Sequence, residues 1–167
     1  WLHSAKLIKN MEILLLTVGK TTQPFIKQGI EEYLKRLRHY VAYKIESIPD
    51  IKNPRAQSEE NLKQKEGEAI LSYISASDLC ILLDERGKEM TSVEFSSFVQ
   101  KLMLSGRKKA VFVVGGTYGF SKDVYDRADA KISLSKMTFT HEMIRLFFTE
   151  QLYRAMTIIR GEPYHHE

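Results

Sequence analysis

Five apolar runs mark out the chain, and each stops at a residue that breaks or turns a strand: Ile13 to Val18 before Gly19, Tyr43 to Ile48 before Pro49, Leu79 to Leu83 before Asp84, Ala110 to Val114 before Gly115, and Ile132 to Leu134 before Ser135. Continuous apolar runs predict strands covered on both faces, whereas Tyr43 to Ile48 partly alternates and predicts a more exposed one. Between the runs, apolar residues recur at helical spacing. The first such stretch is Ile26, Ile30, Tyr33, Leu34, Leu37 and Val41, with Lys27, Glu31, Lys35, Arg36 and Arg38 on the other face. A second carries Leu62, Ala69, Ile70, Tyr73 and Ile74 after Ser58, a capping residue that follows a loop bracketed by Pro49 and Pro54. Thr91 and Glu94 form a capping-box pattern ahead of Phe95, Phe98, Val99 and Leu102, and Gly106 stops that helix. Ser121 opens a short helix, and Thr140 caps a long one with Ile144, Phe147, Phe148, Leu152, Ala155, Met156 and Ile159, ended by Gly161. Glu85-Arg86-Gly87-Lys88-Glu89 reads as a charged loop.

Strands alternating with helices predict an α/β fold, a parallel sheet with helices on each side. There is no internal repeat and no linker, so residues 11–167 read as one domain. Met11 opens the first strand, and Trp1 to Asn10 are expected to be an extension outside the fold.

The formal charge is +4 and the pI near 9.1, which permits a polyanionic partner without requiring one. Cys80 is the one cysteine, so neither an internal disulfide nor a cysteine-based metal cluster is available, and its apolar setting predicts a buried, inert thiol. No apolar run approaches ~20 residues, and the first ten lack the core of a signal peptide. The expectation is a cytoplasmic protein without a membrane span or a metal.

In open α/β sheets ligands sit beyond the carboxyl ends of strands. Three such ends are candidates. Gly115-Gly116-Thr117-Tyr118-Gly119 is either a plain tight turn or a place where a ligand meets the backbone. It is not a dinucleotide fingerprint or a Walker loop. Leu134-Ser135-Lys136-Met137-Thr138-Phe139 is either an ordinary connection or a loop offering backbone groups to an adenine edge. Leu83-Asp84 is the third. On the last helix, His141 and Arg145 share one face, and Arg145 beside the apolar stripe needs a partner, either Glu142 or a bound anion. Glu150 and Arg154 read as a surface ion pair worth ~0.3–0.5 kcal/mol. The tail Tyr164-His165-His166 is either a frayed end or a functional one, with metal weakly supported and His a candidate general base.

The ordered set Thr17-Val18-Gly19-Lys20, Lys65-Glu66-Gly67-Glu68, Leu83-Asp84 with Gly87-Lys88, Gly115-Gly116-x-x-Gly119, Ser135 to Phe139 with His141, Arg145, Glu150-Gln151-x-Tyr153-Arg154-Ala155 and Tyr164-His165 resembles the ribosomal RNA large subunit methyltransferase H family. The likeness runs over nearly all of Met11 to Glu167. It implies the SPOUT fold, a mostly parallel sheet flanked by helices with a C-terminal trefoil knot, and a homodimer. It implies S-adenosylmethionine as methyl donor, bound by Leu83, Gly115, Leu134, Ser135, Lys136, Met137, Thr138 and Phe139. The implied substrate is N3 of a pseudouridine in large-subunit (23S) ribosomal RNA of the assembled ribosome. Under that resemblance His165 or His141 serves as base near the target, Arg145 and Lys88 hold phosphate or developing charge, and Tyr164 stacks on a base. Family members often carry proline where this chain has Thr140; both suit a helix start. Another RNA target, or a non-catalytic ribosome-binding protein of the same fold, are the alternatives.

Overall fold

The computed structural model describes residues 11–167; the expected extension Trp1–Asn10 lies outside them. Five strands form one sheet: β1 (Glu12–Val18), β2 (Ala42–Ile48), β3 (Leu79–Glu89), β4 (Lys109–Val114) and β5 (Ala130–Ser133). Their order is β2-β1-β4-β3-β5, and every pair is parallel. The helices are α1 (Pro24–Leu37), α2 (Glu59–Ser72), α3 (Ser92–Leu104), α4 (Lys122–Arg127) and α5 (His141–Arg160).

Capping residues start the helices where the sequence places them. Ser58 Oγ accepts from Asn61 N at 3.1 Å, and Thr140 Oγ1 accepts from Met143 N at 3.2 Å. The Thr91–Glu94 box is closed in both directions, at 3.1 and 2.7 Å. Each cap satisfies helix-end donors that otherwise lack partners.

Side-chain alternation divides the core. Ile13, Leu15, Ile81 and Phe112 face α1, α3 and α5, meeting Leu37, Phe95, Val99, Phe148 and Leu152. Leu14, Leu16, Cys80, Leu82, Val111 and Val113 face the opposite way, toward Ile70 of α2 and Val124 of α4. Phe112 and Phe148 lie 4.8 Å apart by ring centroid. Truncating either to alanine removes about 3–5 kcal/mol. Cys80 is buried as expected, and burial pushes its thiol up to about 11, which keeps it protonated.

Three boundaries differ from the pattern. The charged stretch Glu85–Glu89 is not a loop but the outer part of β3. Leu83 and Lys88 both stand opposite Ile132 of β5, so the intervening residues bulge out and the chain returns to the same partner. Pairing there is through the backbone, which leaves the charged side chains in water and hides the strand from a hydrophobicity pattern. Gly87 makes this return possible: a Cβ on it would lie 2.6 Å from Ile132 backbone atoms. α1 ends at Leu37 rather than Val41, which follows a turn yet stays buried. β5 ends at Ser133, releasing Leu134 into the following loop.

Candidate active site

The carboxyl ends of β3, β4 and β5 open onto one cavity of about 540 Å³, closed on one side by the first turn of α5. Its wall takes Leu83 to Arg86 from β3, Val114 to Phe120 after β4, Ser133 to Ser135 and Met137 to Phe139 after β5, and His141 and Ile144 from α5. Lys63 of α2 and Tyr125 of α4 complete it. Of the expected cofactor residues, Leu83, Gly115, Leu134, Ser135, Met137, Thr138 and Phe139 are therefore brought together from three loops. Lys136 is not among the lining residues; its side chain is 83% exposed, with Nζ 4.0 Å from Glu89.

The wall owes its shape to backbone packing. Gly119 N donates to Gly116 O at 3.2 Å, and Gly119 adopts φ +82°, a region that side-chain-bearing residues rarely enter. Phe120 is buried under this turn, and a Cβ on Gly115 would come within 3.1 Å of its ring. A Cβ on Gly116 would meet the Glu66 carboxylate at 2.3 Å. After β5, Ser133 Oγ donates to Ser135 O at 2.8 Å, and Ser135 Oγ accepts from Met137 N at 2.9 Å, which curls the loop around the cavity. Tyr125 OH donates to Asp84 Oδ2 at 2.5 Å, and burial together with this carboxylate raises the phenol to about 12. Tyr125 did not stand out in the sequence, and Glu66 did so only within the Lys65-Glu66-Gly67-Glu68 piece of the resemblance, because each acts on a partner far away along the chain.

His141 reaches the cavity from the first turn of α5 and keeps much of its surface in solvent. The atoms packed around its ring, and secondarily the Arg145 charge, lower its pKa from 6.5. The imidazole is thus neutral near pH 7 and able to accept a proton.

Arg145 is placed elsewhere. It is buried at 2% exposure and does not line the cavity. Nη1 donates to Thr21 Oγ1 at 2.9 Å and Nη2 to Val18 O at 3.0 Å, so it grips the end of β1; Nε has no partner among the described residues. Glu142 does not take the guanidinium as its hydrogen-bond partner. Its carboxylate accepts from Thr22 N, from Thr22 Oγ1 at 2.9 Å and from Gln23 N at 3.0 Å. Those backbone donors, Gln23 first, lower its pKa.

The tail is pinned to α5. Arg154 Nη2 donates to Glu150 Oε1 at 2.6 Å, with side chains only 24% and 17% exposed, so the pair is half-buried and not the surface pair its spacing predicts. Tyr164 OH donates to the same carboxylate at 3.1 Å, and its ring stacks edge-on against Tyr153 at 4.7 Å and under the Arg154 guanidinium at 4.8 Å. His165 Nδ1 lies 3.2 Å from Arg154 Nη1. A guanidinium only donates, so Nδ1 is the acceptor of this contact. Neither Tyr164 nor His165 lines the cavity of its own chain.

Residues 11–165 match the family model described as "Predicted SPOUT methyltransferase". The chain is 55% identical over 157 residues to a "Ribosomal RNA large subunit methyltransferase H" of Porphyromonas gingivalis, covering 94% of this chain and 100% of that protein. The protein of the same name from Christiangramia forsetii is 54% identical over 156 residues, covering 93% and 99%. The chain belongs to the ribosomal RNA large subunit methyltransferase H family of SPOUT methyltransferases.

A solved structure, the SpoU methyltransferase AviRb of Streptomyces viridochromogenes in complex with AdoMet, gives a TM-score of 0.44 at 12% identity, covering 92% of this chain and 62% of that one. In the present chain the cavity lies at the carboxyl ends of β3, β4 and β5, the ends singled out in the sequence. Among the described residues no group of three or more His, Cys, Asp or Glu is arranged to hold a metal, and no helix is long and apolar enough to cross a membrane.

Proposed function

We propose that this cavity binds S-adenosylmethionine and that the chain methylates N3 of a pseudouridine in large-subunit ribosomal RNA, on the assembled ribosome, as a cytoplasmic homodimer. The observation that carries this reading is the convergence of Leu83, Gly115 and the Leu134–Phe139 loop on one cavity in a chain of this family. Its volume falls within the ~300–1,000 Å³ of small-molecule sites. Bare backbone at Gly115, backbone groups of the loop after β5 and the Asp84 and Glu85 carboxylates suit a flat purine, a ribose and a cationic centre.

When bound, the donor supplies a sulfonium methyl group open to in-line attack. The chain's own part is to hold donor and base in line and to manage one proton. The N3 proton has to leave, and His141 is suited to accept it, because it lines the cavity and its depressed pKa keeps it neutral. His165 is the less suited of the two, since its Nδ1 lone pair is already engaged by Arg154. Arg145 acts at a distance, holding the β1 end against α5.

A second chain is supported by a groove of about 330 Å³ lined by Phe95, Leu134, Phe139, Phe147 and Gln151, next to the main cavity, with Phe147 36% exposed. The same reading includes the knotted C-terminal path that the family resemblance implies.

Methyl transfer from labelled S-adenosylmethionine to ribosomes that lack the modification, with the product mapped by mass, tests this reading. Label at N3 of one large-subunit pseudouridine is the expected result. Label elsewhere in the RNA refutes the target, and no calorimetric binding of the donor refutes the enzyme.

A further inference from the structure

The Gly116–Gly119 turn carries an aromatic ring for which the fold has no use. Tyr118 lines the cavity yet remains 46% exposed, and its hydroxyl makes no hydrogen bond among the described residues. A single exposed ring is ordinary on a protein surface. Its mounting and its neighbours set this one apart. The turn is closed by Gly119 N to Gly116 O, with Gly119 in a left-handed conformation, so its backbone path is defined. Directly after it Phe120 is buried at 6% exposure and packs edge-on against Tyr125 at 5.7 Å. The foot of the turn is thus anchored by aromatic packing while its tip is left in water at the cavity mouth.

Two cations share the same wall with the Asp84 and Glu85 carboxylates. Lys63 of α2 and Arg86 of β3 both contribute to the wall. The nearest carboxylate to Lys63 is Glu60 at 3.7 Å, whose own side chain is 81% exposed, so that contact is weak and readily exchanged. An exposed ring and a loosely held ammonium on one cavity wall match the chemistry of an unpaired nucleotide, a π-face with a phosphate next to it.

We propose that Tyr118 is a stacking platform for an unpaired RNA base at the cavity mouth and that Lys63 holds an adjoining phosphate. The proposal rests on the reading of the cavity as an RNA methyltransferase site, and it assigns the substrate side of that site to a turn otherwise concerned with the methyl donor. A rigid ring contributes affinity with little conformational entropy to lose, because the turn already fixes its backbone.

The test uses the full chain and ribosomes lacking the modification. Tyr118→Ala is expected to raise the KM for ribosomes about tenfold, as base–aromatic stacking allows. Calorimetric affinity for S-adenosylmethionine stays within about twofold, and Tyr118→Phe restores the wild-type KM, since stacking needs only the ring. Lys63→Gln is expected to raise KM and flatten its dependence on salt. A wild-type chain that transfers no methyl group removes the functional reading and this proposal together. With an active wild type, three results overturn the proposal alone: an unchanged KM in Tyr118→Ala, an equal loss of donor affinity, which would assign the ring to the donor, or a Tyr118→Phe variant as impaired as the alanine, which would assign the role to the hydroxyl.

Discussion

Arg145 on α5 donates through Nη2 to the carbonyl oxygen of Val18 at the end of β1, 3.0 Å away and 127 residues earlier in the chain. With Thr21 on its other terminal nitrogen, Nη1, and Glu142 gripping Thr22 and Gln23, it fastens the β1–α1 connection to the helix that presents His141 and Ile144 to the cavity. Arg145→Met removes both donors and strands a carbonyl in a buried setting. We expect a loss of about 2 kcal/mol, the range for hydrogen bonds to a charged group. Urea unfolding measures it, and an unchanged midpoint would mean that the guanidinium is dispensable to the fold.

The pH behaviour of His141 follows from its surroundings. Packing around the ring, and then Arg145, hold its folded pKa below the ordinary 6.5. As pH falls through 6.5 the unfolded chain takes a proton that the folded chain resists, so stability is complete above that value and declines as pH drops toward the folded pKa. His141→Gln is expected to flatten this decline, as seen by unfolding above and below 6.5. If His141 is the base, turnover has an acidic limb below 6.5, and Arg145→Met moves that limb to higher pH by removing a neighbouring charge. A limb that stays where it was in both variants rules the imidazole out.

Gly115→Leu probes the donor side. The first added carbon already stands 3.1 Å from the Phe120 ring, so the larger side chain must push that ring aside or enter the cavity. Overpacking of this kind costs about 1–3 kcal/mol. Calorimetry is expected to show no measurable binding of S-adenosylmethionine in a chain that is still folded by circular dichroism. Wild-type affinity in this variant would move the donor to another place.

Removing Tyr164 to Glu167 separates fold from function at the tail. The deletion loses the edge-on pair with Tyr153, the Tyr164 hydroxyl bond to Glu150 and the contacts of Tyr164 and His165 with Arg154, and leaves the sheet untouched. The melting temperature is expected to fall by about 10 °C or less, with the cooperative transition retained. Turnover on ribosomes is expected to stop. A truncated chain that turns over at the full rate shows that the tail is only a strap over Glu150 and Arg154.

The sequence by itself determined the layers and the strand ends at which the cavity opens. Apolar runs such as Leu79 to Leu83 and Ala110 to Val114 are too long for one-sided strands, and the capping residues Ser58, Thr91, Ser121 and Thr140 announce four of the five helices from local chemistry alone. Strand ends are likewise local, so Leu83, Gly115 and Leu134 were legible as the rim of an opening. The tertiary structure alone decided the order of the strands and the partners of the polar residues. The charged end of β3 pairs through its backbone, to which a hydrophobic pattern is blind. Glu142 and Arg145 are near enough along α5 to predict a pair, yet each turned instead to the β1–α1 connection, which folding brings over from more than a hundred residues away. Glu150 and Arg154 read as a surface pair until the tail covered them with Tyr164. Periodicity reports which face of an element is buried; it carries no information about which distant donor or acceptor arrives there, and those arrivals shape this site.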